Sequence, residues 1–261
     1  FRNLLNRHYR TLAQGSGICD DVIRGRGYYT AMGTKQLTSL GFKPYQAKHH
    51  PALVVPVYGP DGSNSVYAMR PDNPRVNRDG EALKYELPVG CSVRLDVPPR
   101  CQPMMADPSI ALWLTEGVKK ADALASRGLC AADLLGVWAF LGRDETGSVK
   151  LLADFDLVAW KGRVVKVVYD SDVMTKVPVR KALERLIEHL QRKGASVHAV
   201  YLPCNPDGSK VGVDDYLLTH TIDDLNALVN VPPPEVKPAA PTIELLDVAP
   251  PSLSRPLGLV D

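Results

Sequence analysis

The sequence predicts an α/β protein in which a mostly parallel sheet flanked by helices is preceded by a smaller α+β subdomain. Two short apolar runs predict the sheet, residues 110–114 and 164–168, because each is bounded by turn residues and rich in the side chains of buried strands. A helical pattern follows each run, as in the strand–helix units of parallel sheets. The preceding subdomain is indicated by two further apolar runs that surround a turn.

In the smaller subdomain, leucines near the amino terminus suggest a short first helix, and residues 34–40 suggest a second. Residues 52–58 and 65–70 are predicted to form a β-hairpin around a Pro/Asp/Gly turn. Pro56 should place its strand at an edge or a bulge, because proline cannot donate to a sheet ladder. Residues 84–87 are a further candidate strand.

The larger region alternates strand and helix. An intervening strand is expected over residues 134–141, and residues 177–193 give the clearest helix, with apolar side chains at three- and four-residue spacing. Residues 196–202 are predicted to be another buried strand. A final helix is expected over 214–228, capped by one of its two opening aspartates.

Three carboxylates follow the two predicted central strands. Glu116 ends the first apolar run, and Asp170 and Asp172 end the second. Open α/β sheets bind ligands outside the carboxyl ends of their strands, so these side chains should share one crevice. Crowded carboxylates favour a divalent cation, and a set of oxygen ligands without nearby His or Cys suits Mg²⁺ or Mn²⁺ better than zinc.

Asp214 and Asp215 lie after the next predicted strand, so the same crevice could receive them. For Asp214, a helix cap and a metal-linked role are equally compatible with the sequence. An Asp or Glu after a strand is also common as a solvated turn residue. What favours a shared metal site is the repeated order of strand, carboxylate and helix.

Lysines accompany the acidic residues. Lys119 and Lys120 fall in the first turn of a predicted helix, which is an unfavourable place for cations and hints at a phosphate partner, although solvated lysines fit equally well. Lys210 lies in the segment after the next strand. Gly117 would let the backbone pass close to a phosphate at the helix start.

The two acidic motifs resemble those of a known family. The segment Thr-Glu-Gly-Val-Lys-Lys-Ala-Asp-Ala-Leu at 115–124, followed by Tyr-Asp-Ser-Asp at 169–172, resembles the TOPRIM domain of bacterial primases and topoisomerases. More narrowly, together with residues 194–197 and 210–217, it is similar to a TOPRIM-like domain of replication and primase-like proteins of plasmids, phages and integrated elements. The resemblance covers about residues 106–230.

That resemblance implies roles for individual residues. Glu116 would act as an acid/base or metal-linked carboxylate, and Asp170 and Asp172 would bind Mg²⁺. The region before TOPRIM is similar to the corresponding subdomain of DnaG-type primases, in which a hairpin and a Lys-Tyr strand face the template. The matching positions here are Arg70, Lys84 and Tyr85.

Three functions follow as expectations. A primase-like nucleotidyltransferase would make short primers from nucleoside triphosphates on single-stranded DNA. A TOPRIM nuclease would use the same carboxylates with water as the nucleophile, and a non-catalytic module would only bind nucleic acid within a larger replication protein that carries a helicase or other domains. A topoisomerase ranks last, because nothing identifies the required tyrosine.

Composition narrows the remaining possibilities. The net charge of +2 does not indicate a polyanion partner, so any nucleic-acid surface must be local. Most basic residues near the amino terminus, a group that includes Arg24 and Arg26, are expected to form a solvated helical surface. Five scattered cysteines without a C-x-x-C pair argue against a zinc ribbon and a disulfide framework, which favours the cytoplasm. No apolar run approaches the length of a membrane span.

Composition and sequence pattern divide the chain into three parts. These are a basic α+β subdomain at 1–105 as the candidate template-binding region, a TOPRIM-like catalytic domain at 106–230, and a tail at 231–261. The tail contains three successive prolines and should be an extended linker. The chain begins with Phe1 rather than Met, so an excised fragment is expected.

Overall fold

The computed structural model of the protein describes residues 3–77, 80–143 and 146–230. The predicted proline-rich linker at 231–261 lies outside these residues. Within them, no helix combines the length and the apolar character that a bilayer crossing requires.

Eight helices and ten strands make up the described part of the chain. The helices are α1 Asn6–Ala13, α2 Asp20–Arg26, α3 Thr34–Thr38, α4 Pro44–Ala47, α5 Val118–Ser126, α6 Val177–Arg192, α7 Val213–Tyr216 and α8 Ile222–Ala227. The strands are β1 Tyr29–Ala31, β2 Ala52–Tyr58, β3 Asn64–Pro71, β4 Leu95–Asp96, β5 Leu112–Glu116, β6 Cys130–Leu134, β7 Leu141–Arg143, β8 Val149–Leu151, β9 Val164–Val168 and β10 Ser196–Val200. Short 3-10 turns cover Pro99–Met104, Ala153–Leu157, Ser171–Met174 and Leu228–Asn230.

The main sheet has the strand order β10-β9-β5-β6-β4. Its first four strands are parallel, and the short β4 pairs antiparallel with β6. Helices cover the sheet, which is the usual setting of parallel strands, so the apolar side chains of β5 and β9 are buried apart from Val164 at the start of β9. The predicted α/β class and the mostly parallel sheet are confirmed.

The smaller sheet is antiparallel, with the order β1-β2-β3, and it contains the predicted hairpin. Pro56 lies in β2, which is the central strand rather than an edge. Its missing N–H costs no ladder bond on the β1 side, because β1 pairs only with residues 52–54. The strand pairing of this hairpin is irregular after Pro56, between Val57 and Tyr58.

Three predicted elements are wrong in detail. The strand expected over 134–141 lies earlier, as β6 at Cys130–Leu134, and packs against α5. Gly136, with φ +134°, turns the chain soon after β6 ends. The segment at 84–87 makes only a single bridge, between Glu86 and Met69. The helix expected over 214–228 is two short helices, and the second is capped by Thr221, whose side chain accepts from the Asp224 backbone N–H.

One apolar core extends through both predicted regions. It includes Leu12 and Leu53 from the smaller region and Leu112, Leu114 and Val165 from the larger one. Strand β4, which precedes the predicted boundary at 105/106, also forms an edge of the main sheet. The two predicted regions therefore share one interior.

Candidate active site

The carboxyl ends of β5 and β9 place the acidic residues at one edge of the sheet. Glu116 is the last residue of β5, and Asp170 follows β9 by two positions. The two strands are parallel neighbours, with Thr115 opposite Val168. The sequence therefore located this edge correctly.

Asp170 is held between two lysines. Its side chain is 5% exposed, the Lys120 ammonium lies 2.5 Å from Oδ1, and Lys210 donates to Oδ2 at 2.8 Å. The Lys120 contact is an ion pair outside hydrogen-bond geometry, so Oδ1 keeps an unused lone pair. Burial acts to raise the pKa of Asp170, but the two lysines hold it below its ordinary value, so this carboxylate stays ionised.

Glu116 has a different environment. Within the described part of the chain, no side chain donates a hydrogen bond to it or forms an ion pair with it. Burial raises its pKa, and the negative charges of Asp170 and Asp172 add to that rise against the opposing effect of Lys120 and Lys210. The pKa of Glu116 is therefore raised, whereas that of the neighbouring Asp170 is lowered.

Asp172 is near this edge but apart from the cavity. It lies in the Ser171–Met174 turn and pairs with Lys176 at 2.9 Å. Its charge still contributes to the raised pKa of Glu116. Asp170 and Asp172 thus share a turn, while only Asp170 faces the cavity.

A network joins the amino-terminal loop to this edge. Ser16, which is fully buried, donates to Asp214 Oδ2 at 2.7 Å and accepts from the Lys119 ammonium at 2.7 Å. Lys119 also lies 3.6 Å from Asp214, and burial lowers the pKa of this lysine. Asp215, rather than Asp214, provides the helix cap, since its Oδ2 accepts from the Gly212 N–H at 3.0 Å. No motif in the sequence pointed to Ser16.

The opposite wall is basic and aromatic. The Arg70 guanidinium lies over the Tyr85 ring, 5.6 Å from its centroid. Lys84 adjoins Tyr85, and this segment is fixed to β3 by mutual backbone hydrogen bonds between Met69 and Glu86 at 2.9 Å. Within the described residues, neither Arg70 nor Lys84 is paired with a carboxylate. This wall therefore offers two uncompensated positive charges.

These two walls enclose a cavity of about 580 Å³, which we call the central cavity. It is lined by every predicted site residue except Asp172. The sequence missed Glu86, a buried lining residue that accepts from Gln46 at 3.0 Å and from Arg75 at 2.8 Å. Carboxylates on one side and unpaired cations on the other make the cavity suited to a ligand that carries both phosphates and a metal ion.

The carboxylates at this edge have the chemistry to bind a divalent cation, but their present arrangement is not that of a metal site. Among residues 3–77, 80–143 and 146–230, no three or more His, Cys, Asp or Glu side chains are grouped to hold a metal. The available carboxylates nevertheless supply only oxygen ligands, which Mg²⁺ and Mn²⁺ prefer. The ammonium groups of Lys120 and Lys210 occupy the positions beside Asp170 where positive charge is required.

A second ionic cluster lies in the interior and is separate from this cavity. Arg26 donates to Asp122 at 2.6 and 2.8 Å and to Asp96 at 2.8 Å, and all three side chains are fully buried. Tyr28 donates to Asp122 at 2.5 Å. Asp133 lies opposite Asp96 in the β4–β6 pair. We call these five residues the Arg26 cluster.

Comparison with known proteins gives a partial family match. A family described as a domain of unknown function (DUF3854) matches residues 101–224. An uncharacterised protein of Picosynechococcus sp. is 29% identical over 126 residues, which is 45% of this chain and 12% of that protein. The chain therefore matches only a small part of this much longer relative.

Solved structures identify the fold. The Aquifex aeolicus primase, comprising zinc-binding and RNA polymerase domains, gives a TM-score of 0.57 at 17% identity, over 86% of this chain and 56% of that one. A Pseudomonas aeruginosa DNA primase domain gives 0.56 at 16% identity, over 86% and 71%. A DnaG primase catalytic domain bound to single-stranded DNA gives 0.57 at 18% identity, over 84% and 69%. The chain thus has the fold of DnaG-type primase catalytic cores.

Proposed function

We propose that this chain is the catalytic part of a TOPRIM-type, primase-like nucleotidyltransferase that joins nucleotides into short primers on a single-stranded DNA template. The observation that supports this most is the two-sided central cavity. The carboxylates of Glu116 and Asp170 line one side, and the unpaired cations of Arg70 and Lys84 line the other. Template and nucleoside triphosphate are both polyanions, so their binding needs positive charge as well as a metal site.

Positions for Mg²⁺ or Mn²⁺ follow from the acidic edge. Asp170 would hold the cation from the cavity wall, with Glu116 beside it and Asp214 and Asp215 on the neighbouring segment. Asp172, which pairs with Lys176, would join Asp170 as a ligand by exchanging that lysine for the cation. A bound divalent cation would neutralise the charge that develops on phosphate oxygens during transfer. The ionised state of Asp170, maintained by its lysines, suits this role.

Glu116 is proposed to accept the proton of the attacking hydroxyl. The hydroxyl oxygen of the growing primer bonds to the α-phosphorus, the bond to pyrophosphate breaks, and the hydroxyl proton passes to the carboxylate. A positioned carboxylate can contribute about 10²–10⁴-fold to such a step. The raised pKa of Glu116 and its lack of a described hydrogen-bond partner fit a group that gains and loses a proton.

The cations divide into two proposed groups. Lys119, Lys120 and Lys210 surround the acidic edge and would bind phosphate oxygens of the incoming triphosphate. Arg70, Lys84 and Tyr85 form the opposite wall and would hold the template. Because template binding depends on this local patch, it should weaken as salt is raised.

The wider context is also a proposal. The matched relative is much longer than this chain, so a helicase or other domains of a plasmid, phage or integrated-element replication protein would complete the activity. The proposed mobile-element context rests on the sequence resemblance over residues 106–230.

Labelled nucleoside triphosphates, a single-stranded template and Mg²⁺ or Mn²⁺ test the proposal in one reaction. Incorporation should require the metal and should fall about 10²-fold or more in Glu116→Gln, because the amide cannot accept the proton. Glu184→Gln, an exposed change of the same kind on α6, should leave incorporation unchanged.

Other outcomes identify other functions. Template cleavage without incorporation, lost in Glu116→Gln, would indicate the nuclease. Intact nucleic-acid binding with neither activity, in this chain and in any longer protein that contains it, would indicate a non-catalytic module.

A further inference from the structure

A second cavity, of about 350 Å³, lies beside the first and is lined only by residues of the smaller region. We call it the outer cavity. Arg70 and Lys84 line both cavities, so the unpaired cations form their shared wall. The volume falls within the range of about 300–1,000 Å³ that is typical of small-molecule sites.

The charges around the outer cavity favour an anion at the shared wall. Asp72 is its carboxylate, and both of its oxygens are engaged, Oδ2 by Arg7 and Oδ1 by His8 Nε2 at 2.6 Å. Burial acts to raise the pKa of Asp72, but Arg7 and His8 hold it below its ordinary value. Since Asp72 is satisfied by these partners, it does not offset Arg70 and Lys84.

The rest of the lining is largely apolar. Leu53, Pro71, Pro74 and Ala82 contribute side chains without hydrogen-bonding groups. Such a surface suits a flat, weakly polar group, because apolar walls with a few placed polar groups are the usual composition of ligand sites. The lining of the cavity thus has a cationic part, Arg70 and Lys84, and an apolar part.

We propose that the outer cavity binds one nucleotide, with its phosphate on Arg70 and Lys84 and its base against the apolar wall. A phosphate joined to a flat base is the ligand chemistry that matches both ends. This inference rests on the proposed function, since the strand held in the central cavity would reach the outer cavity across the shared cations. A nucleotide within a strand and a free mononucleotide carry the same chemistry, and the test separates them.

Filling the cavity provides the test. Thr11 lines only the outer cavity, from helix α1, and Thr11→Trp would occupy the space of the base. Asn6→Trp places the same bulk on an exposed position of the same helix that lines neither cavity. Affinity is measured by fluorescence anisotropy for a labelled single-stranded DNA oligonucleotide and by calorimetry for a nucleoside monophosphate, with thermal unfolding as the check on folding.

We expect Thr11→Trp to weaken oligonucleotide binding on the order of tenfold, as loss of one base contact does, while Asn6→Trp stays within twofold of the wild type. Loss of oligonucleotide binding alone identifies a strand as the ligand, and loss of monophosphate binding alone identifies the free nucleotide. Unchanged affinity for both would overturn the proposal. If Thr11→Trp fails to fold, Ala82→Phe fills the cavity from another lining position and is judged by the same outcomes.

Binding needs no catalysis, so this result is independent of the proposed reaction. Weaker oligonucleotide binding in a chain that incorporates no nucleotide would support the outer cavity and reject the nucleotidyltransferase. Incorporation that persists in Thr11→Trp, together with unchanged binding, would support the nucleotidyltransferase and reject the outer cavity as a nucleotide site.

Discussion

The central cavity and the Arg26 cluster both combine acidic and basic side chains, but their charges are balanced in different ways. In the Arg26 cluster, one guanidinium meets two fully buried carboxylates at 2.6–2.8 Å. In the central cavity, Arg70 and Lys84 have no carboxylate partner among the described residues, and Glu116 has no donor. The comparison teaches that charge alone does not mark a functional site.

The two regions differ in whether a ligand can reach them and in whether their cations are paired with carboxylates. Arg26 is paired with two buried carboxylates, and removing one partner of a buried ion pair leaves an uncompensated charge in the interior. An open cavity with unpaired cations retains charge for a ligand. We therefore assign stability to the Arg26 cluster and chemistry to the central cavity, and the next two predictions can break that assignment.

The largest effect is expected for Arg26→Met. This change keeps the apolar stem but leaves Asp122 and Asp96 without their cation, which should cost about 3–5 kcal/mol of the free energy of unfolding. Denaturant unfolding measures it. Arg24→Met, an exposed change on the same helix, should cost less than about 1 kcal/mol. Equal stabilities for the two variants would remove the structural role of the cluster.

A smaller effect concerns the pH dependence of stability. Burial raises the pKa of Asp133 well above its ordinary value, and the neighbouring Asp96 charge adds to the rise. The folded chain therefore holds a proton that the unfolded chain has released, so this carboxyl lowers stability progressively as pH rises from its unfolded pKa towards its folded pKa. A proton shared between Asp133 and Asp96 Oδ2 would also give a hydrogen bond to buried oxygens that have no partner within the described part of the chain.

Asp133→Asn should remove that dependence, because the amide is neutral at every pH. Over the affected pH range, the wild type should lose up to about 1.4 kcal/mol per pH unit more than the variant. Thermal or denaturant unfolding at a series of pH values checks this. Parallel curves for both proteins would show that Asp133 is ionised in the folded state.

The sequence predicted local features better than distant pairings. The α6 pattern and the apolar runs of β5 and β9 predicted their elements, because periodicity and strand composition are local properties. The acidic edge followed from the rule that parallel strands end together. Helix α2, which has seven residues and includes Gly25, was missed because it is too short to show periodicity.

Long-range partners explain most of the remaining differences. Arg26 was expected to be solvated, yet it is fully buried against Asp96 and Asp122, which lie 70 and 96 positions away. Ser16 meets Asp214 across 198 positions. A charge or hydroxyl in a single sequence carries no signal of such partners, so the Arg26 cluster and the Ser16 network could be found only in the folded chain.

The most direct test of the division between the two regions is the rate of nucleotide incorporation per folded molecule in Asp170→Asn and Asp122→Asn. Each change removes one carboxylate charge and keeps the side-chain shape, one in the central cavity and one in the Arg26 cluster. We predict a loss of about 10²-fold or more for Asp170→Asn and a rate within about threefold of the wild type for Asp122→Asn, despite its lower stability. Equal rates in the two variants, or a greater loss in Asp122→Asn, would contradict the account.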